Sequence, residues 1–374
     1  MTKRLFVIFH GRFPSERAAA IYAAQHAASL SAHVPVVLMV PRRLGRAALP
    51  PGLLPTSVRV VYLPTIDLFW IPLLSRLAFF LSYSAFSCSV FFYLLLHLKV
   101  GDTIDTNEAL PALVSTWLSS RVVYEVHDFP EHFLWMYKTL FRRVRFVLAT
   151  NEWKVGEIER KFKVPPQKII MERNGVDVEQ FAPGDRMAAR QSLGLAPDAR
   201  MAVYTGHLYG WKGVETLALA AAHLQDIEVY FVGGTSEDVA QFKEKHGAVR
   251  NIHIVGQVPH TQVPLWLAAA DVVVLPNTAK EELSAHYTSP MKLFEYMASG
   301  RPIVASRIPS IAEVLPEDAA FFVPPDNPTA LAQAINEVLS DPVEAAERAS
   351  RAHAVVLEYA WDRRVERLVQ RFSA

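Results

Sequence analysis

A glycine-rich stretch with one lysine is the first place where the sequence predicts chemistry. The stretch Tyr204-Thr-Gly-His-Leu-Tyr-Gly-Trp-Lys-Gly213 follows a short β-rich run and precedes a segment with helical spacing. Glycines let the backbone approach an anion, a helix N-terminus favours negative charge, and Lys212 supplies a cation. We therefore expect a diphosphate site here. A plain strand-to-helix turn with a surface lysine is the alternative, and neither a P-loop nor a dinucleotide-binding glycine pattern is present.

The start of a second stretch, Ser289-Pro-Met-Lys-Leu-Phe-Glu295-Tyr-Met-Ala-Ser-Gly300-Arg-Pro-Ile-Val-Ala305, predicts a helix that binds phosphate. Pro290 suits the first turn of a helix, where the free amides of Met291 and Lys292 point outward and can hold phosphate oxygens. Glu295 lies one turn further along the same face. A carboxylate beside a phosphate is electrostatically poor unless it accepts hydrogen bonds from a ribose diol, so the two stretches together predict a nucleotide site. A solvated helix charge is the alternative for Glu295.

These two stretches need a scaffold, and the sequence predicts two consecutive Rossmann-like α/β domains. The chain has 374 residues, which is too many for one ordinary core. Short β-rich runs alternate with helical stretches, a pattern typical of parallel sheets covered on both faces, and such sheets bind ligands at the carboxyl ends of their strands. The predicted strands are 4–9, 34–40, 58–62, 122–126, 146–149, 169–172, 201–205, 227–232, 252–255, 272–275, 303–305 and 320–323. The predicted helices are 18–32, 152–162, 213–223, 235–245, 262–269, 291–298, 311–315 and 328–339.

Composition narrows the class of protein. The formal net charge of +1 argues against a nucleic-acid partner. Cys88 is the one cysteine of the sequence, so we expect neither disulfides nor a cysteine-based zinc site, and a cytoplasmic location fits. The first apolar run is too short for a signal peptide. The apolar segment 68–96 is just long enough to span a membrane, but its place inside an α/β half favours a buried or interfacial helix touching a membrane, ordinary core, or a partner surface.

Both stretches closely resemble the nucleotide-sugar half of retaining GT-B glycosyltransferases of family 4. The usual patterns of that family are Gly-Arg-Leu-x-x-x-Lys-Gly and a late helical Glu followed by Ala-x-Gly-x-Pro-Val-Val-Ala. Further landmarks occur in the same order along the chain: Arg173-Asn-Gly-Val-Asp177, Phe181, Pro183, Ala270-Asp271, Leu275-Pro276 and Tyr359-Ala-Trp361. The resemblance implies a GT-B fold with two Rossmann-like domains facing a cleft. We expect residues 1–183 to form the acceptor-side domain, joined by a C-terminal helix at about 358–374, and residues 184–357 to bind the nucleotide-sugar.

The resemblance also implies roles for individual residues. The catalytic residues would be His127, Lys212 and Glu295. The donor, a UDP- or GDP-sugar, would be bound by Gly11, Arg12, Gly206, His207, Lys212, Gly256, Val258, Tyr287, Ser289, Pro290, Met291, Lys292 and Glu295. The leaving diphosphate would help to deprotonate the acceptor hydroxyl, and the protein would stabilise charge growing on the β-phosphate. No metal or other cofactor is expected, because no Asp-x-Asp triplet is present and amides with lysine can neutralise the charge.

Two positions depart from the family pattern. His207 stands where the family has an arginine, so Lys212 would carry more of the charge, with Arg12 or Arg17 as replacements. Tyr287 stands where the family commonly has a first glutamate near the sugar hydroxyls, and with His286 it is expected to line the sugar pocket.

The sequence predicts the acceptor-binding residues less specifically than the donor-binding residues. The candidate acceptor residues are Arg17, Asp105, Glu108 and Asp128. Asp105 and Glu108 follow Ile104, the end of another short strand, and an N-cap or a solvated turn is the alternative for them. The segment 68–96 beside Arg142, Arg143 and Arg145 suggests a lipid-linked or membrane-near acceptor at the inner face of a membrane, in cell-surface polysaccharide or glycolipid synthesis. Two other readings stay open, namely a GT-B sugar-nucleotide epimerase and a binding protein that retains the nucleotide pocket without catalysis.

Overall fold

The chain divides into two units, each built on a parallel β-sheet with helices around it. The computed structural model describes residues 2–45, 48–50, 52–69, 75–287, 289 and 291–373. The first unit comprises Met1–Arg173 and Trp361–Ala374, and the second comprises Asn174–Ala360. Both cores are made by apolar strands buried on both faces, as parallel sheets require.

The strands follow the apolar runs of the sequence. They are β1 (Leu5–Ile8), β2 (Val36–Pro41), β3 (Val58–Leu63), β4 (Thr103–Thr106), β5 (Val122–Val126), β6 (Phe146–Ala149), β7 (Ile169–Met171), β8 (Met201–Thr205), β9 (Glu228–Val232), β10 (Ile252–Gly256), β11 (Val272–Leu275), β12 (Ile303–Ser306) and β13 (Phe321–Val323). Among the described residues, the first unit has the strand order β3-β2-β1-β4-β5-β6-β7 and the second has β10-β9-β8-β11-β12-β13. The order reverses beside β1 and beside β8, the switch point where such sheets bind ligands.

The helices connect successive strands, as parallel pairing demands. They are α1 (Ala18–Leu30), α2 (Ser75–His97), α3 (Ala109–Ser115), α4 (Leu134–Arg143), α5 (Glu152–Phe162), α6 (Arg186–Leu193), α7 (Val214–Ala221), α8 (Ser236–His246), α9 (Val263–Ala269), α10 (Met291–Ala298), α11 (Pro309–Ala312), α12 (Pro328–Ser340), α13 (Pro342–Val356) and α14 (Trp361–Ser373). The helix expected at 311–315 begins at Pro309 instead, since proline is well suited to the first helical turn.

The change from one unit to the other falls at Arg173 rather than at Pro183. Val176 and Phe181 are 3% and 2% exposed and belong to the core of the second unit. The amide of Val176 also donates to the carbonyl oxygen of Tyr359, 3.0 Å away, within the same unit. The polar stretch at 184 is therefore an internal connection that leads into α6.

The chain returns to the first unit at α14. Val365, Leu368 and Phe372 are almost fully buried in the core beside α1. The indole nitrogen of Trp361 donates to Oε1 of Gln25 at 3.1 Å, and Arg367 donates to Glu172 at 2.6 Å. The C-terminal helix expected at about 358–374 corresponds to α14, which completes the first core.

Candidate functional site

Three glycine turns lie side by side at the carboxyl edge of the second sheet. Gly206 and Gly233 directly follow the adjacent strands β8 and β9, and Gly256 is the last residue of β10; their φ angles are 124°, 121° and 81°. The Gly206 amide donates to the carbonyl oxygen of Val232 at 2.8 Å, and the Gly233 amide donates to that of Gly256 at 2.7 Å. A Cβ atom on Gly233 would lie 2.5 Å from the carbonyl oxygen of Gly206. Sequence analysis missed Gly233, although Val232-Gly-Gly after an apolar run was a signal for it.

Lys212 is carried by a tight turn directly before α7. Gly213 has φ 73°, and a Cβ atom there would lie 1.7 Å from the carbonyl oxygen of Pro276, so the turn is fixed against the end of β11. The ammonium of Lys212 lies 5.0 Å from the ring centroid of Trp211. It is also 3.7 Å from the position that a Cβ atom on Gly206 would occupy. Lys212 therefore reaches back to the loop that follows β8.

Burial changes the acidity of Lys212. Desolvation lowers the pKa of its ammonium from 10.5 to about 8, while the nearby Glu295 carboxylate acts in the opposite direction. The group is charged at neutral pH and readily loses its proton above pH 8. A cation in a poorly hydrated place interacts more strongly with an anion than a surface lysine does.

Helix α10 is fastened to the end of β8, which brings its carboxylate to the same site. The hydroxyl of Tyr296 accepts from the amide of Thr205 at 2.7 Å. Glu295 is 8% exposed, and its Oε1 lies 3.1 Å from Nε2 of His260. Sequence analysis missed His260 as the neighbour of this carboxylate. The lysine turn and the start of α10 thus lie together in one unit, as a site for one diphosphate requires.

At the start of α10, a side chain lies in the site in addition to the backbone amides that were expected there. Sequence analysis assigned the backbone amide of Lys292 to phosphate, whereas the structure also buries its side chain at the site, 8% exposed. The carbonyl of Ser289 accepts from Asn174 at 2.8 Å. The hydroxyl of Ser289 is buried and has no hydrogen-bond partner among the described residues. Met291 opens the helix, and Pro290 lies outside the described residues.

The side chain of His207, at the position of the family arginine, contacts Tyr209 and Asp238. Its ring stacks on Tyr209, with centroids 4.9 Å apart and an interplanar angle of 4°, and its Nδ1 lies 3.6 Å from Oδ2 of Asp238. The imidazole therefore faces the start of α8. Tyr287 is half-buried in the turn Leu283–Tyr287, and Val258 packs against the core.

A broad depression of about 770 Å³ lies at the amino edge of the same sheet. It is lined by residues that precede β8, β9 and β10, among them Arg200, Asp226 and Asn251. Neither a glycine turn nor a buried lysine lines it. Because parallel sheets bind ligands at the opposite edge, we place the candidate site at Lys212.

In the first unit, His127 follows β5 and is held from two sides. Its Nδ1 lies 3.2 Å from Nδ2 of Asn107, and its ring stands edge-on to Tyr22 with centroids 4.6 Å apart. The buried ammonium of Lys154 donates to the His127 carbonyl oxygen at 2.5 Å. The Nε2 atom lies 3.4 Å from Oε1 of Glu125. Lys154, which sequence analysis missed, fixes the backbone from which His127 projects.

A buried ionic network lies beneath His127. Arg364, 0% exposed, donates to Glu125 at 2.6 Å and contacts Nδ1 of His26 at 3.1 Å. Burial opposes ionisation of Glu125, but Arg364 outweighs it and holds the pKa of Glu125 well below its usual value. Since a guanidinium only donates, Nδ1 of His26 accepts, and Nε2 carries the hydrogen donated to Asp105 at 2.7 Å.

Two candidate acceptor residues of the first unit turn out to be internal. Asp105 was expected after a strand end, but it lies inside β4 with its carboxylate held by His26. Glu108 accepts from the backbone amide of His10 at 2.8 Å and so positions the loop after β1. Burial raises the pKa of Glu108 and lowers that of His10 to about 4.

The loop after β1 keeps its expected place, at the carboxyl edge of the first sheet. A Cβ atom on Gly11 would lie 2.1 Å from the ring of Phe9. Arg12, Arg17 and Asp128 are exposed. Arg43, missed by sequence analysis, is 8% exposed and donates to the carbonyl oxygen of His10 at 2.9 Å.

With this geometry in hand, a comparison with known protein families is informative. Residues 199–341 match the family Glycosyl transferases group 1. The second unit therefore carries a domain of that family. D-inositol 3-phosphate glycosyltransferase 2 of Catenulispora acidiphila is 27% identical over 231 residues, covering 58% of this chain and 52% of that protein. D-inositol 3-phosphate glycosyltransferase of Corynebacterium urealyticum is 26% identical over 245 residues, covering 61% of this chain and 56% of that protein. The chain thus spans about half the length of these relatives.

Solved structures match the whole chain. Sucrose-phosphate synthase from Thermosynechococcus elongatus superimposes with a TM-score of 0.82 at 21% identity, covering 99% of this chain and 98% of that one. Anabaena HepE in complex with UDP-glucose has a TM-score of 0.76 at 18% identity, with 99% of each chain covered. The predicted GT-B fold class, two α/β domains with parallel sheets, is confirmed.

Proposed function

We propose that this protein is a retaining glycosyltransferase that moves a sugar from a UDP- or GDP-sugar to an acceptor hydroxyl. The observation that carries the proposal is the meeting of Lys212, the β8 glycine turn and the start of α10 in a domain that matches Glycosyl transferases group 1. A cation, close backbone and free helix amides are what a diphosphate needs. Glu295 lies where it can accept hydrogen bonds from a ribose diol while His260 orients its other side.

The chemical demand on this site is stabilisation of the leaving diphosphate. As the bond between sugar and β-phosphate breaks, negative charge grows on the phosphate oxygens, and preorganised donors lower the barrier without reorganising. Lys212 supplies charge and the first amides of α10 supply hydrogen bonds. We propose that this neutralisation proceeds without a metal ion. The part of His127 in binding the sugar stays a prediction from the family resemblance.

The relatives suggest which substrates to test first. HepE was solved with UDP-glucose, and the matched sequences are named D-inositol 3-phosphate glycosyltransferases. UDP-glucose and other UDP- and GDP-sugars are therefore mixed with inositol 3-phosphate, lipid extracts, simple sugars and sugar phosphates. Release of the nucleoside diphosphate and NMR of the product anomer are measured. Lys212→Met is expected to abolish transfer, whereas the exposed Lys245→Met serves as control.

Three results would count against the proposal. An inverted anomer would remove the retaining assignment. Release of an epimerised nucleotide-sugar would replace transfer by epimerisation. Tight binding of a nucleotide-sugar with no turnover on any acceptor would favour the non-catalytic alternative.

We also propose that α2 and its neighbours contact the inner face of a membrane. In α2, Arg76–His97 is long and apolar enough to cross a bilayer, but one face packs into the first unit through Phe86, Val90 and Leu94, so it lies on the membrane rather than across it. Only 28% of its most apolar window is buried. The exposed apolar residues of α2 and nearby segments include Leu77, Phe79, Phe80, Leu81, Phe92, Leu95, Leu96, Trp117 and Trp135.

Cationic side chains accompany this apolar face. Arg142 and Arg143 are exposed at the end of α4, and Arg143 donates to Thr116 at 2.9 Å, which joins α4 to the segment carrying Trp117. Arginines beside exposed tryptophans suit an anionic lipid surface, where a lipid-linked acceptor would be presented. We expect flotation with vesicles of anionic lipid, loss of flotation in Phe80→Ser/Leu95→Ser, and no loss in Leu219→Ser of the second unit. The contact would be refuted if wild type and both variants were recovered in equal amount from the bottom of the gradient, unbound to the vesicles.

A further inference from the structure

The side chain of Lys292 is the least explained charged group of the second unit. The residue is 8% exposed, and its Nζ is buried with no hydrogen-bond partner among the described residues. The ammonium lies 3.9 Å from the ring centroid of Tyr204, which belongs to β8. Lys212 from the turn before α7 and Glu295 from α10 are the charged groups that act on it.

A purely structural role does not account for a lysine at this place. Burying an ammonium without a hydrogen-bonded partner is costly, and a methionine or leucine would fill the same space without that penalty. A cation–π contact with Tyr204 offsets only part of that penalty. A buried, unpaired and perturbed lysine in a ligand site is therefore a candidate for function.

The charge balance of the site shows what that function is. The diphosphate of a nucleotide-sugar carries two negative charges, whereas Lys212 supplies one positive charge. The residue at the family arginine position, His207, faces Asp238 and Tyr209 instead. We propose, on the basis of the proposed function, that Lys292 is the second cation that binds the donor diphosphate, in place of the missing arginine.

This arrangement makes the charge of Lys292 depend on the ligand. In the ligand-free protein, burial and the like charge of Lys212 lower the pKa of Lys292 well below its usual value, although Glu295 opposes them. A bound diphosphate reverses the local field and favours the ammonium. One proton then passes from solvent to Nζ as the donor binds, so that affinity and proton uptake are linked.

Calorimetry of the purified full chain tests this directly. UDP, GDP, uridine and guanosine are titrated at pH 7 in two buffers of different ionisation enthalpy, since Lys212, with a pKa of about 8, is already charged there. We expect wild type to take up more protons than Lys292→Met. Loss of a charge-assisted hydrogen bond should weaken diphosphate binding in Lys292→Met by about 10- to 150-fold and leave nucleoside binding unchanged. Lys292→Arg should restore part of the affinity, and Lys280→Met, an exposed lysine, should match wild type.

Thermal unfolding of the ligand-free proteins separates this role from a structural one. Lys292→Met should unfold at the same temperature as wild type or higher, because a desolvated amine is replaced by an apolar side chain. Lower stability in this variant would make Lys292 a structural residue and overturn the inference. Equal diphosphate affinity and proton uptake in wild type and Lys292→Met would overturn it while the proposed function stands. Failure of wild type to bind either nucleoside diphosphate would overturn both.

Discussion

Replacing Lys212 by methionine is the sharpest test of the proposed diphosphate site. The change keeps most of the length of the side chain and removes its charge. A hydrogen bond from a charged donor contributes about 1.5 to 3 kcal/mol, which corresponds to about a 10- to 150-fold loss of affinity for a nucleoside diphosphate at pH 7. Lys212 stands on a turn fixed by Gly213 against Pro276, so the variant should keep the loop geometry.

The pH dependence of this loss follows from the pKa of Lys212, which burial lowers to about 8. Above that pH the free protein must first take up a proton at Lys212 in order to bind, so wild-type affinity falls about tenfold per pH unit relative to the variant. The phosphates are already ionised in this range, since their last pKa is about 6. Calorimetric titrations at pH 7, 8, 9 and 10 should therefore show the two affinities converging.

The same pKa fixes the sign of a stability effect. The pKa of Lys212 is lower in the folded protein, about 8, than its ordinary 10.5, so the unfolded chain binds more protons between these values. Ligand-free wild type should become more stable as pH rises through this window, and Lys212→Met should lack that gain. Lys245→Met, an exposed lysine, is the control for both measurements. A difference in affinity that stays constant up to pH 10 would refute the reasoning, because Lys212 would then keep its charge. The absence of any difference at pH 7 would also refute it, because Lys212 would then not contact the ligand.

Further predictions concern the scaffold. Gly213→Ala should lower the unfolding temperature and donor affinity, whereas Gly210→Ala, with nothing within 4 Å of its Cβ position, should change neither; equal effects would contradict the turn geometry. Arg364→Met leaves the Glu125 carboxylate buried without its cation and should cost about 3 to 5 kcal/mol in urea unfolding, with recovery in Arg364→Met/Glu125→Gln. No recovery in the double variant would point to packing. The pKa of His10 is lowered from 6.5 to about 4, so stability should fall as pH drops from 6.5 toward 4, and His10→Phe should lose that acid sensitivity in thermal unfolding scans. An unchanged acid profile in His10→Phe would place the sensitive group elsewhere.

Much of the fold was predictable because strand and helix patterns are short-range. The strand at 122–126 and the helix at 291–298 match the sequence prediction residue for residue, since an apolar run or a helical period is a local property. β4 was recognised only by its end at Ile104, because Asp102 and Asp105 interrupt the apolar pattern. Their carboxylates are compensated by Arg4 and His26, which are distant in sequence.

By itself the sequence determined where the proposed diphosphate site lies, because glycine turns and a helix start are local features and parallel strands bring their ends to one edge. Tertiary structure alone decided which side chains meet there. It buried Lys292 over Tyr204, turned His207 toward Asp238 and paired Glu295 with His260. The physical reason is that side-chain partners come from segments far apart in the chain, whose packing and burial no local pattern encodes.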